Sequence, residues 1–257
     1  MPVETGPDTS PGRVYAYRNP EKNLGTIRLM VFYVVPKDRK DRISADWREA
    51  AEEALGQIKR FHALQFQNAS VIDYSLFPEP IVLESNGVLY DTTSTEAGNP
   101  KALVSIGEEI ERRVMRPDGD LHRSDLAARP TDQYRVLGFL YEGVGASGGI
   151  IYDSELGSVE EIAAQLGVPA SIIYKVSIDS ADGFFLLNRD YLVKSEYAAY
   201  GSTLLYHEFA HTLGVPDQYD HERSLSNDIM GGGRTQPLSI EYLDRSTLKD
   251  MGLFKSQ

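Results

Sequence analysis

The chain of 257 residues contains no cysteine, and this absence removes three kinds of chemistry. It excludes a disulfide scaffold, a zinc site built on thiolates and a thiol nucleophile. Long apolar runs are also missing, because the longest, residues 29–35, is far too short to span a bilayer. A metal site in this chain would therefore draw on carboxylates and on the five histidines.

Positive charge is scarce as well. The chain has 26 Lys and Arg against 38 Asp and Glu, a formal net charge of -12 and a pI of about 4.9. Such a polyanion is a poor match for nucleic acid or for an anionic membrane surface, so neither is expected as a partner. Hydrophobic residues at 41% and charged residues at 25% are typical of a globular protein. The first 25 residues show no signal peptide, and composition leaves the oligomeric state open.

Two of the five histidines lie in a segment that reads H-E-x-x-H-x-x-G-x-x-D, from His207 to Asp217. Two histidines four residues apart on a helix share one face, so both rings can reach one ion. Glu208 can act as general base on a water molecule at that ion. Gly214 can adopt the positive φ that ends a helix, so that the chain turns back and presents Asp217 as a third ligand. Three protein ligands and an open position are the arrangement of a catalytic zinc site.

The residues around the motif predict a buried helix. Leu205, Phe209 and Leu213 recur at intervals of four and form an apolar stripe on a different face from the histidines. Ser202 is the predicted N-cap of this helix. The alternative, a surface helix that carries two histidines and a glutamate, does not account for the stripe.

The motif resembles the metzincin zinc metallopeptidases, whose pattern is H-E-x-x-H-x-x-G-x-x-H/D followed by a methionine turn. Residues 227–231, N-D-I-M-G, are similar to that turn, with Met230 thirteen residues after Asp217. The resemblance implies that Met230 forms a hydrophobic floor beneath the zinc ligands; taken alone, it is an ordinary core residue. Aspartate as third ligand resembles the snapalysin group, whereas residues 214–220, G-V-P-D-Q-Y-D, are similar to the immune inhibitor A group. The choice between these groups stays open.

The chain departs from the family pattern at one position. Several metzincins carry a tyrosine two residues after the turn methionine, where it helps to stabilise the transition state, but this chain has Gly232 there. Tyr219 is the candidate for that role. The resemblance is specific over residues 202–231 and concerns only the architecture elsewhere.

The function implied by the resemblance is that of a zinc-dependent metalloendopeptidase acting on peptides or proteins. One Zn²⁺ per chain would be held by His207, His211 and Asp217. Glu208 would take a proton from the attacking water and pass it to the leaving amine. A carboxylate as third ligand lowers the formal charge of the site by one unit relative to a third histidine, and should make the zinc a weaker Lewis acid. The resemblance also implies secretion as a mature form.

Other residues could supply the third ligand. A group that follows the motif closely could bind zinc or calcium, or form a solvated acidic turn: Asp220, His221 and Glu222. Glu241 could supply a ligand from a later helix, but the break at Gly214 argues against it. Calcium has no support from a D-x-D-x-D-G loop. His62 and His122 lie far from the motif and are predicted to be surface or core residues.

The predicted fold class is α/β, or α+β, with a twisted mixed sheet and helices above the active-site helix. Apolar spacing predicts strands at residues 26–35, 70–77, 133–142 and 150–153, and helices at residues 46–64, 100–114, 202–213 and 239–251. Asp46 and Glu49 are the predicted capping pair of the first helix, and Ser239 the cap of the last. Three parts are expected: a tail (1–24), an upper catalytic subdomain (25–214), and a short, mostly irregular or helical lower subdomain (215–257).

By the same resemblance, an edge strand that pairs with extended substrate lies at residues 146–150. Its members are Ala146, Ser147, Gly148, Gly149 and Ile150. The physical basis is that an unpaired strand edge can accept a peptide as an added strand. The alternative is an ordinary glycine loop, since no phosphate-loop motif is present.

Two functions of other classes compete with proteolysis. Residues 158–169 are similar to the first helix and turn of a helix-turn-helix, with Ser158 and Glu161 as a capping box; a recognition helix from Ala170 would make the chain a DNA binder. The chain could also be a zinc-binding or adhesion module without activity, its cleft blocked by the N-terminal tail. Retention of Glu208 argues against that reading, because metal binding alone does not need it.

Overall fold

The structure is a computed structural model that describes residues 13–91, 100–114, 132–152, 157–175, 181–219 and 227–255. Its strands are β1 (Arg13–Ala16), β2 (Asn23–Val35), β3 (Val71–Leu76), β4 (Ile81–Val82), β5 (Gln133–Tyr141), β6 (Ala146–Tyr152), β7 (Ile173–Lys175), β8 (Gly183–Asn188) and β9 (Gly252–Lys255). Its helices are α1 (Trp47–Gln65), α2 (Pro100–Val114), α3 (Val159–Leu166), α4 (Asp190–Val193), α5 (Gly201–His211) and α6 (Arg245–Met251). The predicted mixed α/β class is confirmed.

β2 lies inside a nine-stranded mixed sheet, in which seven strands follow the order β7-β6-β8-β5-β2-β1-β9 and β3 and β4 also pair with β2. It runs parallel to β5 on one side and to β3 and β4 on the other. Its side chains alternate between two apolar layers: Leu29, Val31 and Tyr33 join one, and Phe32 and Val34 join the other. A strand that is apolar on both faces belongs in the interior of a sheet.

Helices cover both faces of this sheet. α1 and α5 share one apolar layer, and the buried residues of α2 belong to the layer on the other face. The stripe predicted for α5 is confirmed, because Leu205, Phe209 and Leu213 are 0%, 0% and 1% exposed. α5 therefore packs against both the sheet and α1. No helix in the described ranges combines the length and apolarity needed to cross a bilayer.

Two predicted N-caps of helices are wrong. Asp46 does precede α1, but its carboxylate accepts a hydrogen bond from the Ser44 hydroxyl and caps no backbone N–H, so the pairing with Glu49 is absent. Ser202 lies inside α5, which begins one residue earlier. Packing decides that start, because a β-carbon on Gly201 would lie 2.0 Å from the carbonyl oxygen of Tyr191.

The last helix also begins later than predicted. Ser239 lies in a 3₁₀ turn, Leu238–Ile240, and α6 starts at Arg245. Its cap is Asp244, whose side chain accepts a hydrogen bond from the Thr247 N–H at 2.8 Å. An aspartate in extended backbone, three residues before the donor it satisfies, is a standard helix start.

Both ends of the described chain join the sheet. β1 lies within the segment predicted as a tail, residues 1–24, so that residues 13–24 belong to the fold; residues 1–12 lie outside the described ranges. β9 pairs antiparallel with β1, which returns the chain after Gly214 to the main sheet. Sequence periodicity did not predict these two short strands, and the subdomain boundary at Gly214 stays a prediction.

The helix-turn-helix interpretation is wrong. Ser158 and Glu161 do form the predicted capping box at the start of α3. The segment from Ala170 then makes one 3₁₀ turn and enters β7, so there is no recognition helix. Ile173, Tyr174 and Lys175 pair with β6 instead.

His62 is a fully buried core residue, which confirms one of the two predicted alternatives. Ser70 donates its hydroxyl hydrogen to the carbonyl of Leu24, so it accepts the Nε2–H of His62 at 2.8 Å. The Tyr206 hydroxyl lies 2.9 Å from Nδ1 and can donate to it. The imidazole is therefore neutral and paired at both nitrogens, and burial lowers the pKa of His62 to about 3.

This buried imidazole makes stability depend on pH. Its pKa is about 3 in the folded state against an ordinary 6.5, so only the unfolded chain binds its proton between those values, and stability falls as pH drops below 6.5. From pH 7 to pH 5 this group alone should remove about 2 kcal/mol. Urea unfolding of wild type and His62→Gln at both pH values checks this: the loss should be about 2 kcal/mol smaller in the variant. Equal losses in the two proteins would contradict the assignment.

Candidate metal centre and cleft

α5 places His207 and His211 one turn apart, with their Nε2 atoms 3.2 Å from each other. The Nδ1 atom of His207 donates to the carbonyl of Ile229 at 2.9 Å, and that of His211 donates to the carbonyl of Val215 at 2.6 Å. A carbonyl can only accept, so each Nδ1 carries a hydrogen, and whenever the ring is neutral its Nε2 is the unprotonated nitrogen. The two Nε2 lone pairs are thus available to a metal ion.

Asp217 reaches the same point through the turn that was predicted after α5. Gly214 has a φ of +85°, and a β-carbon there would meet the Arg18 side chain at 2.7 Å. Beyond the turn, Asp217 Oδ1 lies 3.2 Å from His207 Nε2 and 3.5 Å from His211 Nε2. Burial acts to raise the pKa of Asp217, but the contacts with the two imidazoles hold it below its ordinary value. Asp217 is therefore a carboxylate.

The three donor atoms fit a zinc ion. A tetrahedral zinc with bonds of about 2.0–2.2 Å holds its ligand atoms about 3.3–3.6 Å apart. The observed separations of 3.2, 3.2 and 3.5 Å match that spacing. Two imidazole nitrogens and one carboxylate oxygen are a zinc set, whereas calcium prefers oxygen alone. Among the described residues, this is the single group of three or more His, Asp or Glu side chains with metal-ligand spacing.

The alternative third ligands do not join this group. Asp220, His221 and Glu222 lie outside the described residues, as does His122. Glu241 is 7% exposed and packs against Gly233, away from the three donors. Burial and then the charge of Asp228 raise the pKa of Glu241 to about 7.

Glu208 lies beside the metal ligands and is only 7% exposed. Burial raises the pKa of its carboxyl group, while His207 and His211 act in the opposite direction. A raised pKa makes a carboxylate a stronger base, which suits proton transfer near neutral pH. Glu208, which follows His207 in the sequence, is therefore a carboxylate of raised basicity beside the candidate metal ligands.

Residues 227–231 hold the His207 ring in place. Met230 is fully buried in the apolar layer that contains α5. Asp228, also fully buried, accepts hydrogen bonds from the Met230 N–H at 2.8 Å, the Asp244 N–H at 2.6 Å and the Thr247 hydroxyl at 3.0 Å. These bonds fix the turn whose Ile229 carbonyl orients His207. Sequence analysis missed this role of Asp228, although an aspartate that bonds the N–H two residues on is a known turn signal.

Tyr219 faces the metal ligands. Its hydroxyl lies 3.0 Å from His207 Nε2, and the two rings lie within 13° of parallel. Burial, and then the charge of Asp217, raise the pKa of Tyr219, so the hydroxyl keeps its proton. The guanidinium of Arg234 sits 4.1 Å above the Tyr219 ring. Gly232 has no side chain and supplies no hydroxyl near the candidate ligands. The place of Arg234 beside Tyr219 was not predicted from the sequence.

β6 forms the strand nearest to Glu208. Ala146–Ile150 pair antiparallel with β8, and β7 pairs on the other side only with Ile150–Tyr152. Within the described ranges, residues 146–149 thus have a free second edge. The interpretation as a glycine loop is wrong, and Gly148 shows why glycine is needed: a β-carbon there would lie 2.1 Å from the Glu208 carbonyl oxygen.

Comparison with known proteins adds little to this geometry. No protein-family model and no curated protein sequence matches the chain. Among solved structures it matches metalloproteinase-II from Bacteroides fragilis, with 12% sequence identity and a TM-score of 0.39, over 92% of this chain and 53% of that one. The chain spans about half the length of that protein. A similarity this low assigns no function, so the proposal below is drawn from the residues of this chain.

Proposed function

We propose that this protein is a zinc-dependent metalloendopeptidase of the metzincin type. The observation that carries the proposal is the trio of unprotonated donors from His207, His211 and Asp217, 3.2–3.5 Å apart, beside the buried carboxylate of Glu208. Structural zinc sites are closed by four protein ligands, whereas three ligands and a neighbouring base are typical of hydrolysis. The ligand trio and the base come from one helix and the turn after it.

The roles of the residues follow from their positions. Zinc, when bound, acts as a Lewis acid on the substrate carbonyl and lowers the pKa of water. Glu208 accepts a proton from the attacking water and returns it to the leaving amine. Tyr219, which keeps its proton, donates a hydrogen bond to the carbonyl oxygen as negative charge develops there. Gly232, at the position where several metzincins carry a tyrosine for this role, has no hydroxyl to donate.

The free edge of β6 is the proposed substrate platform. An extended peptide can add to the edge at residues 146–149 through backbone hydrogen bonds. Gly148 packs on the Glu208 backbone, so a peptide on this edge lies along the active-site helix. Backbone pairing gives affinity with little dependence on side chains, which suits an endopeptidase. From the resemblance of residues 202–231 to the metzincins, we also propose that the protein acts outside the cell.

The first test is the metal content of purified protein together with the hydrolysis of quenched-fluorescent casein. We expect about one zinc per chain, activity that a chelator abolishes, and recovery when zinc is added back. Calcium in place of zinc is the control and should restore nothing, because it binds imidazole poorly. Zinc without hydrolysis would favour the silent zinc-binding module, and protein without zinc would contradict the proposal outright.

A further inference from the structure

Arg234 lies beside Tyr219 and carries a positive charge that forms no ion pair among the described residues. The side chain is exposed, and its guanidinium stacks 4.1 Å above the Tyr219 ring. In the described part of the chain it forms no ion pair and donates no hydrogen bond. Stacking uses the face of a guanidinium and leaves the N–H groups at its edge free to donate. Those donors match a carboxylate in geometry and charge.

The net charge of the residues around Glu208 depends on Arg234. Four residues act electrostatically on Glu208: His207, His211, Asp217 and Arg234. A bound divalent ion would offset the two negative charges of Glu208 and Asp217 while the histidines stay neutral. Arg234 then leaves this group with one net positive charge, although the chain as a whole carries -12. A site of opposite sign to its surroundings attracts anionic groups selectively.

We propose that Arg234 makes the cleft selective for peptides with an acidic side chain beside the scissile bond. The inference rests on the proposed function and names the substrate class of that site. Tyr219 fixes the location, because its hydroxyl reaches the metal ligand His207 while its ring carries Arg234. A carboxylate held by Arg234 therefore belongs to a residue within reach of the reacting carbonyl.

Cleavage-site profiling of a mixed peptide library tests this directly. The zinc-loaded wild type should enrich Asp or Glu at one position next to the cut. For a peptide pair that differs only by Glu or Gln at that position, the Glu/Gln ratio of kcat/KM should fall about tenfold in Arg234→Gln. Arg234→Glu should reverse the preference towards Lys and Arg. The matched control is Arg245→Gln, which removes the same charge at an exposed site on α6 and should keep the wild-type ratio.

A purely structural role for Arg234 gives another result. If Arg234 only supported Tyr219, Arg234→Gln would lower kcat for the Glu and Gln peptides equally and leave their ratio unchanged, which overturns the proposal. A wild type that cleaves without any acidic preference overturns it as well.

Binding separates this inference from the proposed function. Fluorescence anisotropy of the labelled Glu and Gln peptides on zinc-loaded Glu208→Gln protein needs no hydrolysis. We expect about tenfold tighter binding of the Glu peptide, lost when Arg234→Gln is added to Glu208→Gln. Selective binding without wild-type cleavage would refute the peptidase and keep the acidic recognition, whereas equal binding of the two peptides would refute the recognition alone.

Discussion

Replacement of Glu208 by glutamine should lower kcat/KM for peptide hydrolysis by about a thousandfold and leave the zinc content unchanged. Glutamine has nearly the same shape but cannot accept the proton of the attacking water, and general base catalysis contributes about 10²–10⁴-fold. The loss should be severe because Glu208 is 7% exposed, and the neighbouring carboxylate, Asp217, is needed as a metal ligand. His207 and His211 keep their backbone partners in the variant, so zinc stays bound.

The measurement pairs steady-state kinetics with metal analysis on the same samples. Glu160→Gln is the control, since it makes the same change on the exposed surface of α3 and should keep full activity. A Glu208→Gln protein that hydrolyses peptide within tenfold of wild type would remove Glu208 from the chemistry. A variant that loses its zinc would instead show that Glu208 stabilises the metal site.

A large loss of stability is expected for Gly148→Ala. A β-carbon at this position would lie 2.1 Å from the Glu208 carbonyl oxygen and 3.2 Å from the His211 β-carbon. Both atoms belong to α5, and the nearer one is backbone, so β6 and α5 must separate. Overpacking of this kind costs about 3 kcal/mol. Because the shift acts on the helix that carries both histidines, activity should fall with stability.

Chemical denaturation and zinc affinity of the purified variant check the expectation. Gly56→Ala is the matched control: its β-carbon would meet only the tip of Arg60 at 3.6 Å and the Tyr74 hydroxyl at 3.9 Å. Alanine within α1 should be neutral or stabilise by up to about 1 kcal/mol. If Gly148→Ala proved as stable as wild type with unchanged zinc affinity, the close contact between β6 and α5 would be wrong.

Much of the candidate site could be predicted because its chemistry is local in sequence. The helical period puts His207 and His211 on one face, and Gly214 supplies the positive φ that returns the chain to Asp217. Longer elements with a full apolar period, such as β2 and α1, were predicted to within a few residues for the same reason. Helix caps failed more often, because tertiary contacts decide where a helix can begin, as Gly201 against Tyr191 shows.

Contacts between distant segments were out of reach of the sequence. Asp228 looks like a turn residue, yet its donors come from residues 230, 244 and 247 and together hold the carbonyl that orients His207. Arg234 and Tyr219 meet only because the chain folds back after residues 227–231. Sequence periodicity cannot predict such a contact, since each partner alone is compatible with an exposed surface residue.

By itself the sequence predicted the candidate ligands, the candidate base and the helix that carries them, because the spacing of residues along a helix sets which of them share a face. The run of apolar residues in β2 also favours an interior strand, since a strand that is apolar on both faces is covered on both. Tertiary structure alone decided the free edge of β6, the stacking of Arg234 on Tyr219 and the return of β9 to β1. Each of these joins residues far apart in the chain, and their pairing depends on the packing of the whole core rather than on any local preference.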